Sequence, residues 1–288
     1  MMQPGFYPEM PDHEYHGLPG FSKSVLCNKT PFDYWANRIY TGPKPLDEKE
    51  KDYYLQGRLF HCMILEKSEV HKRYVRNEGL NFNDKGKPVL LRRGTKPYEK
   101  WAKENPGVSL ITPRMWDECE RMVAMSFTNR KFRELFELPG FPECSFVGQC
   151  PRTGQWIRVR PDYLHKTDTM DIVDLKTTGD GKASPDRFPK EAGKLHYHIS
   201  GALTLDTIEL VTGRRPSSYL FAVTEKPWPH RSAVWELTEQ GLLAGRRFYQ
   251  DRLKLMKLCQ ETGYYPAYVK KKNNTEDYEK FFRFVEEA

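Results

Sequence analysis

Residues 160–178 read RPDYLHKTDTMDIVDLKTT. The run holds a Pro-Asp pair, Pro161 and Asp162, and then an Asp-Leu-Lys triplet, Asp174, Leu175 and Lys176. It fits a strand, a turn and a second strand. Side chains alternate along a strand, so Asp174 and Lys176 share one face while Val173 and Leu175 take the other. A carboxylate beside an ammonium on one face holds a hard cation and positions a water next to it. Two carboxylates and a lysine at this spacing therefore suit metal-dependent phosphodiester chemistry. Taken singly, each piece also has a plainer reading. Pro-Asp is common in turns, and a solvated Asp–Lys pair contributes only ~0–1 kcal/mol. The apolar flanks Ile172, Val173 and Leu175 tip the balance toward a central strand. A buried Asp and Lys there would be costly without a metal or a partner.

Working outward, residues 143–150 and 155–164 read as two further strands joined by the turn Pro151-Arg-Thr-Gly154. A helix over 190–212, closed by Gly213, follows the triplet. Strands over 217–224 and 233–237 come next, with a Pro-rich turn between them. A last long helix, capped by Thr238, spans 238–262. Upstream, 22–38 reads as a helix that Pro31 interrupts or restarts. Residues 47–66 read as a long helix whose apolar stripe is Tyr54, Leu55, Leu59, Phe60 and Met63, and 113–138 shows helical periodicity again. Residues 1–20 are expected to form an irregular arm. Residues 72–109 look like a polar, basic insertion in a single domain running from 21 to 288. The order predicts an α/β (α+β-like) fold with helices on a central mixed sheet.

The chain has 288 residues, 38% of them hydrophobic and 13% aromatic, with a formal charge of +7. This describes a folded chain with a very polar surface, and the charge favours a polyanionic partner without establishing one. Trp156, Trp228 and Trp235 suit core packing better than base stacking. No apolar run approaches the ~20 residues of a membrane span, and no secretory signal is visible. The six cysteines are scattered with no C-x-x-C, so reduced thiols in a cytoplasm are the expectation. His61 lies in a helical stretch one turn after Gly57, on the same face. A lone helical histidine is usually just a satisfied one. A mid-helix glycine, however, costs ~1 kcal/mol and hints at a close approach, where a neutral imidazole can complete a carboxylate-bound metal site.

Together Gly57-x-x-x-His61, Arg160-Pro-Asp162 and Asp174-Leu-Lys176-Thr-Thr178 resemble the PD-(D/E)xK nuclease superfamily. The resemblance points to the exodeoxyribonuclease VIII (RecE-type) branch, related to the RecB nuclease domain and the phage lambda exonuclease. Ser22-Lys-Ser-Val-Leu26, Glu143 and His196-Tyr-His198 extend it, so that it covers roughly residues 22–268. It departs at the helix after the lysine strand, where Ser200 and Thr204 stand in place of the branch's Gln-x-x-x-Tyr.

The resemblance implies Mg²⁺- or Mn²⁺-dependent cleavage of DNA, with one or two ions held by His61, Asp162, Asp174 and the Leu175 carbonyl, and Glu143 as a further candidate. Lys176 would serve the attacking water. Arg158, Arg160, Tyr197, His198 and Lys270, Lys271 and Lys272 are the candidate DNA contacts, with basic residues in 85–100 beside them. With Cys259 the only late cysteine, no iron–sulfur cluster is expected. Implied partners are duplex DNA ends, copies of the chain in a ring, and a single-strand annealing protein of the RecT type. A phage or prophage origin is implied too, and no membrane. Two other readings stay open: a non-catalytic DNA-binding module of the same fold, and an endonuclease of the superfamily.

Overall fold

The strand carrying the triplet, Ile172–Thr178, lies in the middle of the largest sheet. The computed structural model describes residues 3–42, 52–268 and 281–285. Among these the main sheet runs, in order, Phe282–Val285, Ser232–Leu237, Tyr219–Glu225, Ile172–Thr178, Tyr163–His165 and Gly140–Pro142. Its two central strands, Ile172–Thr178 and Tyr219–Glu225, are parallel, and the other pairs are antiparallel. A parallel pair needs a crossover connection. Here it is made by the helices Phe188–Lys194 and Tyr197–Thr212. The sheet is mixed and flanked by helices, as the order of elements predicts.

A smaller sheet of Gly5–Tyr7, Ser145–Gln149 and Trp156–Val159 stands beside it. One long hairpin builds part of both sheets. Its outgoing arm leaves the main sheet after Pro142 and enters the small one at Ser145. Its returning arm leaves the small sheet after Val159 and rejoins the main one at Tyr163. The sequence predicts unbroken strands over 143–150 and 155–164. The switch between sheets falls at Glu143-Cys144 on one arm and Arg160-Pro-Asp162 on the other. Pro161 lacks a ladder donor and so suits the break, and Glu143 takes a left-handed backbone, φ 47°. The Glu143 N–H donates to the Asp162 carbonyl at 3.0 Å, tying the two corners together.

Two apolar cores lie on opposite faces of the main sheet. On one side Ile172, Phe221 and Val223 pack with Ile199, Leu203 and Leu253 of the helices Tyr197–Thr212 and Glu239–Thr262. Those helices meet so closely that a Cβ on Gly245 would lie 2.3 Å from the His198 carbonyl oxygen. On the other side Val173, Leu175 and Ala222 pack with Leu59, Phe60 and Met122 of the helices Asp52–Leu65 and Pro113–Ser126. The alternation predicted for the triplet strand is thus the division between the cores.

Several boundaries are sharper than the sequence suggests. Pro31 begins a separate helix, Pro31–Arg38, behind a Thr30–Asp33 capping box. The region 113–138 splits into Pro113–Ser126 and Arg130–Glu137, the second capped by Asn129. His196, at φ 58°, divides the expected 190–212 helix in two. The expected arm is more ordered than predicted: Gly5–Tyr7 joins the small sheet and Asp12–Gly17 is helical. Within the basic stretch 72–109, Tyr74–Arg76 pairs with Ser109–Ile111 and encloses a short hairpin and the helix Lys96–Glu104. Among the described residues no helix is long and apolar enough to cross a membrane.

Candidate active site

The corner where the hairpin changes sheets meets the helix Asp52–Leu65. Leu59 and Phe60 of that helix are fully buried, which turns His61 toward the corner. Ligand atoms of His61, Glu143 and Asp162 lie within 4.8 Å of one another. His61 Nδ1 is 3.8 Å from Asp162 Oδ2, and its ring also hydrogen-bonds the Leu175 backbone. Asp162 is held from behind, where its Oδ2 accepts from the Leu175 N–H at 2.7 Å. Gly57, one turn before His61, lets the helix lie against the triplet strand. A Cβ there would come within 3.3 Å of Thr177 Oγ1.

Lys176 Nζ donates to Asp174 Oδ1 at 2.6 Å, stands 3.6 Å from Asp162 Oδ2, and donates to the Leu175 carbonyl at 3.3 Å. The two carboxylates raise the lysine pKa well above its usual value against the opposing effect of burial, so its ammonium persists. Burial and the nearby Asp162 push Asp174 up to about 6, although Lys176 pulls it down. Burial, with Asp162 second, holds Glu143 well above the ordinary carboxylate range. Burial lowers His61 to about 4, leaving a neutral imidazole at pH 7.

These groups fit a divalent cation. A neutral imidazole and hard carboxylate oxygens converge on one point. Asp174 Oδ2 is buried beside them without a hydrogen-bond partner. Burial and mutual repulsion raise the pKa of Glu143 and Asp174, and a cation among the carboxyls would favour their charged forms. The converging set contains Glu143 and not Asp174, whose Oδ1 is engaged by Lys176.

The other expected site residues are placed differently. Arg158 is 2% exposed; it donates to the Tyr15 carbonyl and packs on the Tyr15 ring. Arg160 bonds Ser145 Oγ, the Met10 carbonyl and Asp12. Both guanidiniums therefore fasten the N-terminal segment instead of pointing freely at a substrate. Tyr197 stacks on Phe221 and lies 5.6 Å, centroid to Nζ, from Lys176. His198 is 1% exposed and packs against Phe281, so its ring is not presented to a DNA backbone. Ser200 hydrogen-bonds Tyr219. Lys270, Lys271 and Lys272 lie outside the described residues.

A cleft of about 1230 Å³ opens over the cluster, lined by His61, Glu143, Arg160 and Tyr197 and flanked by Pro8–Asp12. Two lysines that sequence reasoning assigned no role stand near it. Lys23 donates to the Leu195 carbonyl at 2.8 Å, and burial lowers its pKa, with Lys176 adding to the effect. Lys226 lines the cleft and bonds the Tyr53 carbonyl. The signal for Lys23 was its place in Ser22-Lys-Ser-Val-Leu26, a segment that extends the resemblance. Lys226 follows a strand end and gave none.

Mixed sheet, Pro-Asp corner and acidic-x-Lys strand define a PD-(D/E)xK fold. The family model described as a PDDEXK-like domain of unknown function (DUF3799) matches residues 27–276, and the chain belongs to that family. Among solved structures, a Eubacterium rectale protein described as "Putative exonuclease" is similar at TM-score 0.49 and 13% identity, over 93% of this chain and 96% of that one. The protein SSO0001 is similar at TM-score 0.29 and 14% identity, over 69% and 85%. No curated protein matches the chain.

Proposed function

We propose that the chain is a Mg²⁺-dependent deoxyribonuclease that hydrolyses phosphodiester bonds from the ends of linear duplex DNA. The observation that carries this reading is the convergence of His61, Glu143 and Asp162 beside the Asp174–Lys176 pair, in a chain of PD-(D/E)xK fold. His61, Glu143 and Asp162 would hold Mg²⁺ or Mn²⁺, with Asp174 bonded to Lys176 next to Asp162. A bound ion of this kind polarises a phosphate oxygen and lowers the pKa of a bound water. Lys176, kept as an ammonium by two carboxylates, donates hydrogen bonds. It orients the attacking water and offsets charge building on the phosphorane. His61 stays neutral and keeps its lone pair available. Asp162 is fixed by the Leu175 amide, which sets the direction of its carboxylate.

Action on DNA ends, a role in recombination or repair of phage type, assembly into a ring, and a RecT-type annealing partner rest on the sequence resemblance. The test is degradation of linear against covalently closed duplex with Mg²⁺, with EDTA and Lys176→Ala as controls. Loss of the linear form alone, abolished by both controls, supports the reading. Cutting of closed circles makes the enzyme an endonuclease. DNA binding without cleavage of either form makes it a non-catalytic module.

A further inference from the structure

Tyr53 and Tyr54 begin the helix that carries His61. Both line the cleft, yet they are 48% and 57% exposed. Tyr54 does not join the apolar stripe that the sequence assigns to it. The two rings lie 4.1 Å apart at 40°. Lys226 fixes this end of the helix by donating to the Tyr53 carbonyl, and its Nζ stands 5.3 Å from the Tyr53 ring centroid. Tyr54, Gly57 and His61 follow i, i+3, i+7 spacing, so they share one helix face. At 1.5 Å per residue, Tyr54 lies about 10 Å along the axis from His61. That is about three nucleotides at ~3.4 Å per stacked step.

We propose that Tyr53 and Tyr54 form a stacking platform for an unpaired base of the DNA strand entering the cleft. It would lie two or three nucleotides from the scissile phosphate. The inference rests on the nuclease reading and deepens it, since the substrate at the cluster is then a single strand, peeled from a duplex end or already unpaired. Three features favour a nucleic-acid strand as the occupant. The rings are continuous with the cluster along one cleft wall. An ammonium lies beside them to meet a backbone phosphate. A π-face accepts any base, as a non-selective nuclease needs. Gly57, between platform and cluster on the same helix face, lines the same cleft.

The experiment uses the full chain with Ca²⁺ in place of Mg²⁺ and single-stranded oligonucleotides, each carrying one 2-aminopurine in its last five positions. The expected result is fluorescence quenching concentrated at one or two adjacent positions, lost in Tyr53→Ala/Tyr54→Ala and kept in Tyr53→Phe/Tyr54→Phe. The alanine pair should weaken binding roughly 10-fold or more, and a strand abasic at the quenched position should bind both proteins alike. Equal weakening on intact and abasic strands, or uniform quenching along the oligonucleotide, overturns the platform. A retained melting temperature in the alanine pair separates loss of stacking from loss of fold. If the protein binds and cuts DNA but lacks the quenching pattern, the platform alone falls. If the pattern appears without any cleavage under Mg²⁺, the platform stands and the nuclease reading falls.

Discussion

The two sides of the cleft are built on opposite terms. On the side of the sheet corner Asp162, Lys176 and Arg160 are already engaged. Asp162 accepts from the Leu175 amide, Lys176 is caught between two aspartates, and Arg160 holds the N-terminal segment. On the side of the helix Asp52–Leu65, two tyrosines stand open to solvent. Groups that must keep a fixed geometry during bond breaking are locked by neighbours, because preorganisation lowers the cost of reaching the transition state. Groups that meet a changing strand stay free to do so. Substitutions at the corner should therefore strike turnover, metal affinity or stability, while substitutions at the rim should strike strand binding.

The sharpest way to break this contrast is Lys176→Ala. Loss of the ammonium should cut the cleavage rate by roughly 10²- to 10⁴-fold with little change in DNA affinity, read by single-turnover kinetics beside a binding titration. Equal losses in both would place Lys176 among the binding groups.

Next in size is a gain. Asp174 is raised from the usual 3.8 to about 6, chiefly by burial, which corresponds to about 3 kcal/mol against the charged form at neutral pH. The folded chain keeps this proton up to about pH 6, whereas the unfolded chain releases it near 3.8. The associated stability is thus present below 3.8 and lost as pH rises through about 6. In EDTA, Asp174→Asn should stabilise the protein by up to about 3 kcal/mol at pH 8. The gain should begin to shrink as pH falls below about 6 and vanish below about 3.8, measured by urea unfolding. With Mg²⁺ present the same variant should lose cleavage.

Arg160→Ala should destabilise the fold by about 2 kcal/mol, since it removes charge-assisted bonds to Ser145 and the Met10 carbonyl. The salt dependence of DNA binding should stay as it was. A slope reduced by about one would return Arg160 to the phosphate contacts that its sequence position suggests. Smallest, Glu143→Gln should raise the Mg²⁺ concentration for half-maximal cleavage by about tenfold, seen in a metal titration.

Much of this is legible in the sequence. The Val173/Leu175 against Asp174/Lys176 alternation gave the two faces of the central strand, and Gly213 and Thr238 marked helix ends where the structure has them. His61 and its glycine were readable because a helical glycine needs a reason. What the sequence hid is tertiary. Periodicity of two continues through Val159 and Arg160, so nothing local shows that one hairpin serves two sheets. Arg158 and Arg160 looked like strand residues facing a phosphate because their partner, the segment around Tyr15, lies some 140 residues away in the chain. The strand Phe282–Val285 escaped notice because it is short and pairs with Ser232–Leu237 far upstream. Tyr54 fitted an apolar stripe on paper because helical spacing alone does not say where the core stops.

The bond from the Glu143 N–H to the Asp162 carbonyl makes the site a matter of local opening. Two of the three converging ligands hang from one clasp, so a fluctuation that parts it scatters them while both sheets remain paired. Deuterium uptake at that single amide would report how often a folded molecule is chemically incompetent. An ion that these residues would hold should slow the uptake in proportion to its affinity.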